Sequence, residues 1–441
     1  MRIREDNEAG SPSSTQEDAP APMLPARRLK LLIYGINYEP EITGIGKYTG
    51  DMARWLAARG HDVRVVTAPP YYPEWKVHDG YRASQYSRVR VAGVDVFRAP
   101  LWVPERVTGL RRLIHLSSFA LASIPSLLRQ WHWRPDVVWM AAPPLMCAPA
   151  ALAFAGLRGA TSWLHIQDYE VDAAFELGML KGKTLRSMCT WVECKLFGAF
   201  GRVSTISNRM LDRARAKGVR EAKLLSLPNW ADISGVRPLT QVSEYRDELN
   251  IPHDAIVALY SGNMGGKQGL EVLGEVAEKF SGNSHVHFVF CGAGSSRDAL
   301  VAQCDGMANV HFLDLQPLER LPQLLGLADI HLLPQRADAA DLVMPSKLTG
   351  MLSSGRPAIA GARDETELAQ VVATCGLVVT PEDAQAFADA ISRLADDQPL
   401  RQELGSNARQ WAERHLDRDA VLAGFEAELL RVVAARPSRR A

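Results

Sequence analysis

Short apolar runs alternate with stretches of helical periodicity along this chain, and partway through the alternation starts again. The first series has apolar runs at residues 31–36, 63–67, 94–97, 137–140, 162–166, 203–206 and 223–227, and closes on Pro228-Asn229. The second has them at 256–260, 286–291, 310–313, 330–334, 357–361 and 376–379. Strands that alternate with helices pair in parallel and carry helices on both faces. The chain is therefore expected to be an α/β protein with two doubly wound, Rossmann-like domains, at 28–230 and 231–415. Ligands of such sheets lie beyond the carboxyl ends of the strands, so two facing sheets put the site in a central cleft. One further helical pattern, at 420–433, falls outside both series; as a segment spanning 416–436 it is expected to return to the first domain.

Composition narrows the class. At 47% hydrophobic and 23% charged, 441 residues suffice for two substantial cores. Fifty basic residues balance fifty acidic ones, which gives no electrostatic reason to expect nucleic acid as a partner. The six cysteines are scattered without a C-x-x-C pair and are expected to be reduced thiols. Residues 1–27, rich in Ser, Pro, Glu and Asp, read as a disordered leader. Residues 137–157 carry no charge over a length sufficient in principle to span a bilayer. Pro143-Pro144 and Pro149 divide that stretch, and a buried strand followed by an apolar helix is the better reading.

Several glycine loops and strand tips carry the chemistry. After the first strand comes Thr43-Gly44-Ile45-Gly46, then a helix, Gly60-His61 and a second strand. A dinucleotide fingerprint would need G-x-G-x-x-G close behind the strand and an acid at the next strand's tip. Gly44, Gly46 and Gly50 have the wrong spacing, and the second strand ends at Thr67-Ala68-Pro69-Pro70. The loop is instead expected to hold an anion against a helix start. In the second series, Gly262-Asn263-Met264-Gly265-Gly266-Lys267-Gln268-Gly269 has amides free to approach phosphate, with Lys267 adding charge. It is not a Walker A loop, because Ser261 stands at the leading glycine and Gln268 where Ser or Thr would bind magnesium. Pro345-Ser346-Lys347-Leu348 reads as a helix start capped by Ser346, a second place for a phosphate. His165 and Asp168 sit at a strand end, where imidazole and carboxylate suit acid–base work, and Asp168 is the first choice to steer an acceptor proton. The D-x-D at Asp417-Arg418-Asp419 precedes a terminal helix and reads as surface charge. No metal or other cofactor is expected; amides and lysines would neutralise a leaving phosphate.

The segment 106–134 interleaves Arg111, Arg112, Arg129 and Arg134 with Leu113, Ile114, Leu116, Phe119, Ile124 and Leu127. A basic, apolar helix of this kind can lie on an anionic membrane. Packing against the sheet would account for the same apolar face.

Seven segments stand out together: Tyr34-Gly35-Ile36-Asn37-Tyr38-Glu39-Pro40, Thr43 to Tyr48, Ala68 to Pro73, Gln167-Asp168, Leu227-Pro228-Asn229-Trp230, Ser261 to Met264, and Met344 to Gly350. With them the chain resembles the GT-B retaining glycosyltransferases of family 4, in particular the colanic-acid-type, fucosyltransferase-like members of exopolysaccharide clusters. The resemblance implies a nucleotide-diphosphate sugar held mainly by the second domain, with Gly262, Asn263, Gly266, Lys267, Pro345, Ser346, Lys347 and Leu348 around the diphosphate. It implies Gly44, Ile45 and Gly46 closing from the first domain, and Asp168 or His165 near the transferring sugar. It also implies retention of anomeric configuration, a lipid-linked oligosaccharide acceptor, and a place on the inner face of the bacterial cytoplasmic membrane. One departure stands out: the two family glutamates fall here on Leu342 and Gly350, with Asp338 or Asp341 as possible substitutes on the ribose. A GT-B-fold nucleotide-sugar epimerase and a catalytically silent assembly subunit are the alternatives.

Overall fold

A computed structural model describes residues 27–41, 44–106, 108–176, 182–231, 233–337 and 345–436, with Lys267 and Ser346 described in the backbone only. Residues 1–26 of the expected leader, Thr43, Asp338, Asp341, Leu342 and Met344 therefore lie outside the described residues. The first sheet is built from β1 (Lys30–Tyr34), β2 (Asp62–Thr67), β3 (Ser87–Val91), β4 (Val94–Arg98), β5 (Val137–Ala142), β6 (Thr161–Ile166), β7 (Arg202–Thr205) and β8 (Leu224–Ser226). The second contains β9 (Ile256–Ser261), β10 (Val286–Cys291), β11 (Val310–Leu313), β12 (Ile330–Leu333), β13 (Ala358–Gly361) and β14 (Gly376–Val379). Their orders are β3-β4-β2-β1-β5-β6-β7-β8 and β11-β10-β9-β12-β13-β14. Every pairing is parallel except β3 with β4. The order reverses direction beside β1 in one sheet and beside β9 in the other, which makes those strand ends the switch points for ligands.

Burial on both faces explains the apolar runs. Along β1, Leu32 and Tyr34 enter one core with Phe119, Phe154 and Met140, while Leu31 and Ile33 enter the other with Met52, Leu56 and Trp163. The two-residue period of a strand sends successive side chains to opposite layers. All six residues of β5 are buried, and the apolar stretch after it becomes the helix Ala148–Arg158. No helix among the described residues is long and apolar enough to cross a membrane. All six cysteines are free thiols.

Sequence reading missed β3. Ser87-Arg88-Val89-Arg90-Val91 is exposed along its whole length and pairs antiparallel with β4 at the sheet edge. It has no buried face to reveal it, and its arginines suit an open edge.

The helix Arg418–Ala434 belongs physically to the first sheet. Leu422, Phe425, Leu429 and Val433 share a core cluster with Ile33, Val65 and Trp163, and the Phe425 ring meets Trp163 edge-on at 5.1 Å. Glu426 is 4% exposed. It accepts two hydrogen bonds from Arg59 Nε, at 2.8 and 2.9 Å, and lies 2.8 Å from His61 Nε2. His61 Nδ1 accepts from the Leu29 amide, so Nε2 carries the proton that goes to Glu426. The chain thus passes between the sheets twice, and the two passages touch: the Ala231 amide donates to the Leu416 carbonyl at 2.8 Å. Asp417 and Asp419 have structural tasks here, Asp417 capping the last helix through the Ala420 amide and Asp419 accepting from Trp55 Nε1.

Candidate active site

At the carboxyl end of β9 the backbone is held open by glycine. Gly262 has φ +135° and Gly292, after β10, has φ +151°. A Cβ on Gly292 would stand 1.9 Å from the Gly262 carbonyl oxygen, so the two loops interlock only because this residue lacks a side chain. The amides of Gly262 and Met264 donate to the carbonyls of Cys291 and Ala293, each at 2.9 Å. The chain then makes a short 3-10 turn, Gly266–Gln268, before the helix Glu271–Lys279 begins. Asn263 and Gly266 are exposed, and nothing lies within 4 Å of a Cβ placed on Gly266.

Lys347 comes to this loop from the second expected phosphate site. Its Nζ donates to Tyr260 Oη at 3.0 Å and to Gln268 Oε1 at 2.8 Å, and lies 4.4 Å from the centre of the Tyr260 ring. The Tyr260 hydroxyl donates in turn to the Asn263 carbonyl at 2.6 Å. Burial pushes the ammonium down to about 8, because the contacts that surround it replace water. Tyr260 and Gln268 went unnoticed in sequence as partners of a residue about 80 positions away, as nothing in local spacing signals such a contact.

The Lys347 helix runs Ser346–Ser353 and its cap position is Pro345. This corrects the sequence reading, which made Ser346 the cap; it is the first helical residue, and proline has no side chain that could cap. Leu348 is 1% exposed and packs with Leu333 and Met351, so its side chain is part of the core. Gly350 lies inside the helix, where a Cβ would come 3.1 Å from Leu325 Cδ1.

In the first sheet the expected glycine loop is displaced. Gly44 is already the first residue of the helix Gly44–Ala58, so Gly44, Ile45 and Gly46 form its first turn rather than a loop before it. Gly46 is needed because Glu41 packs there, its Oε2 2.7 Å from where a Cβ would stand; Gly50 faces Glu39 in the same way at 2.8 Å. Glu41 is 2% exposed and accepts from the Tyr71 and Tyr72 amides and Asn37 Nδ2 at 2.9–3.1 Å. Burial raises its carboxyl above the usual range, and those donors oppose the rise.

Near the end of β6, His165 is buried and stacks on Trp139 with ring centres 5.2 Å apart. Gln167 Nε2 donates to its Nε2 at 3.0 Å, so the proton lies on Nδ1 and goes to Ser204 Oγ at 2.9 Å. Gln167 and Asn229 exchange amide hydrogen bonds at 3.0 and 3.2 Å across 62 residues. Desolvation holds His165 down to about 3, which keeps it neutral at physiological pH. A neutral ring with both nitrogens engaged positions Gln167. Asp168 is half-buried past the strand tip. Glu170, also half-buried, accepts from the Leu145 amide at 2.7 Å; desolvation raises its carboxyl above the usual range, and the charge of Asp168 adds to the rise. Sequence reading passed over Glu170.

The two halves meet at a cavity of about 150 Å³. Ser207, Pro228 and Asn229 line it from the first sheet, and Leu348, Thr349 and Trp411 from the second. Asn229, hydrogen-bonded to Gln167, therefore shares a wall with the helix that carries Lys347.

Residues 43–230 match the Glycosyl transferase 4-like domain family and residues 241–411 match Glycosyl transferases group 1. A protein of Escherichia coli (strain K12), provisionally named a colanic acid biosynthesis glycosyl transferase, WcaI, is 42% identical over 406 residues, covering 90% of this chain and 98% of that protein. Among solved structures, sucrose-phosphate synthase from Thermosynechococcus elongatus superposes with a TM-score of 0.73 at 16% identity, over 93% of this chain and all of that one. Anabaena HepE in complex with UDP and glucose superposes at 0.65 and 16% identity, over 91% of this chain and 99% of that one. At such identities these two establish the shared architecture.

Proposed function

This chain belongs to the GT-B-fold glycosyltransferases that join a Glycosyl transferase 4-like domain to a group 1 domain, and from that premise we propose that it moves a sugar, fucose in our reading, from a nucleotide-diphosphate donor to a lipid-linked oligosaccharide. Transfer retains the anomeric configuration and serves an exopolysaccharide such as colanic acid, the product named for the Escherichia coli relative. The observation that carries the donor site is Lys347, a half-buried and largely desolvated ammonium whose described partners are a phenol and an amide. A desolvated cation without a counter-charge gains most from a bound anion. The open backbone at Gly262, Asn263 and Gly266, with Lys267 in the same turn, supplies further donors, as do the amides at the start of the Ser346–Ser353 helix. Pro345 sets the start of that helix, and Leu348 holds it in the core.

From the first sheet, the exposed first turn at Gly44 and Ile45 approaches the same phosphates, with Gly46 letting Glu41 brace it from behind. Asp168 takes or steers the proton of the acceptor hydroxyl as that oxygen bonds to the anomeric carbon and the nucleoside diphosphate departs. Its charge passes to Lys347 and the amides. His165 keeps Gln167 and Asn229 in place beside it. The enzyme works at the inner face of the bacterial cytoplasmic membrane, where the helix Gly109–Ala122 and its arginines meet the lipid that bears the acceptor.

Thermal denaturation with UDP, GDP and ADP tests the donor site. A ligand that binds only the native state raises Tm, so one nucleoside diphosphate is expected to raise it more than the others. No shift with any of them overturns the assignment.

A further inference from the structure

The helices Gly109–Ala122, Ala148–Arg158 and Lys183–Ala199 contribute Phe119, Phe154 and Phe197 to one core cluster, so they cover the same face of the first sheet and present their outer sides together. Those outer sides are unusually apolar. Leu110 is 69% exposed on the first of these helices and Leu157 70% on the second; on the third, Met188 at 57%, Trp191 at 62% and the exposed Val192 fall on one face at helical spacing. A large exposed tryptophan is uncommon on a free surface, and such residues gathered in a patch mark a place of contact.

Charge identifies the partner. Neither 106–135 nor 137–167 contains an Asp or Glu, and the only acid of the Lys183–Ala199 helix is Glu193. Glu193 is 1% exposed and pairs internally with Lys217. Lys183, Arg186 and Lys195 are all exposed, and Lys195 Nζ lies 5.9 Å from the centre of the Trp191 ring. The helix therefore shows solvent an apolar stripe flanked only by positive charge. Tryptophan with basic neighbours is the composition that settles at a lipid headgroup boundary, and each basic residue adds attraction to anionic lipid.

We propose that the helix Lys183–Ala199 is a second lipid-docking element, inserting Met188, Trp191 and Val192 into an anionic bilayer surface while Lys183, Arg186 and Lys195 hold the headgroups. This rests on the reading of a lipid-borne acceptor and adds to it a contact separate from the 106–134 segment. The helix is a rigid mount: Lys217 Nζ pairs with Glu193 on its inner side and with Asp172 at 3.0 Å. Asp172 belongs to the helix Glu170–Glu176, which directly follows Asp168. Docking through this face would hold the acceptor-side carboxylates at a fixed height over the membrane.

Cosedimentation of the full chain tests the proposal, with vesicles of phosphatidylethanolamine and phosphatidylglycerol set against vesicles of phosphatidylcholine. Met188→Ser with Trp191→Ser, and separately Lys183→Gln with Arg186→Gln and Lys195→Gln, should each lower partitioning to the anionic vesicles by about tenfold or more. Both should keep the nucleotide-induced Tm shift of the parent, showing an intact fold. Leu110→Ser with Ile114→Ser is the comparison for the other segment. If only that variant loses binding, the second element is overturned and the membrane reading stands. If the parent chain sediments with neither vesicle, both fall. If light scattering shows a dimer that Trp191→Ser dissociates, the face belongs to a second copy and the proposal is overturned.

Discussion

Lys347 makes the donor site sensitive to alkali. Its ammonium is held at about 8 against 10.5 for an ordinary lysine, so raising the pH from 7 to 9 should discharge it in the free protein and weaken nucleotide binding. Stability moves the opposite way. Between about 8 and 10.5 the unfolded chain binds the proton and the native one does not, so this residue's contribution to stability rises across that window. Isothermal titration with the preferred nucleoside diphosphate at both pH values checks the first sign, and Lys347→Ala should remove most of the pH dependence. At the first sheet the two polar residues of the β6 tip should separate by kinetics. Asp168→Asn is expected to cut kcat by two to four orders of magnitude, roughly the worth of a positioned acid–base group, with nucleotide affinity unchanged. His165→Phe keeps a ring against Trp139 and loses the bonds to Ser204 and Gln167. It should cost about 1–3 kcal/mol of stability and leave the pH profile of kcat where it was, since a histidine held near 3 sets no limb of it.

The two glycine elements respond differently to substitution. Gly292→Ala drives a methyl into the Gly262 carbonyl and leaves a residue at φ +151°. It should lower Tm by several degrees and also abolish the nucleotide-induced shift, because the β9 and β10 loops can no longer interlock. Gly46→Ala gains helix propensity worth roughly 1 kcal/mol but collides with Glu41, a buried side chain fixed by three hydrogen bonds. Net destabilisation in urea titration is expected, and Glu41→Ala should relieve it in the double variant. These contrasts show what could be read in advance. Strands such as β5 and β10 were legible because burial on both faces forces a continuous apolar run. The exposed β3 was not, since its order comes from pairing with β4. The glycines at 262–269 were recognised as a loop, yet the reason for Gly46 was invisible, because Glu41 reaches it only after the chain has turned. Lys347 was found at its helix start, while Tyr260 and Gln268, which accept its hydrogen bonds, come from the neighbouring strand and turn.

At the scale of the molecule, each sheet buries a histidine that acid must force open. His165 in the first and His331 in the second are both held near 3 by burial, against 6.5 when free. The unfolded chain takes up those protons first, so stability should decline as pH falls from 6.5 towards 3. Urea midpoints at pH 7 and pH 5 measure this loss. Phe425→Ala should cost about 3–5 kcal/mol, felt as a lower transition of the first domain in calorimetry, although residue 425 lies beyond the second. That arrangement sets an order of events during synthesis. The first sheet leaves the ribosome with one wall of its core missing, and the residues that complete it, Leu422, Phe425 and Leu429, are made after the whole second domain. At roughly 5–20 residues per second, an exposed apolar seam waits on the order of ten seconds or longer for its cover. A chain cut short anywhere in the second domain would release a first domain that is still open, marked for degradation by the surface it never closed.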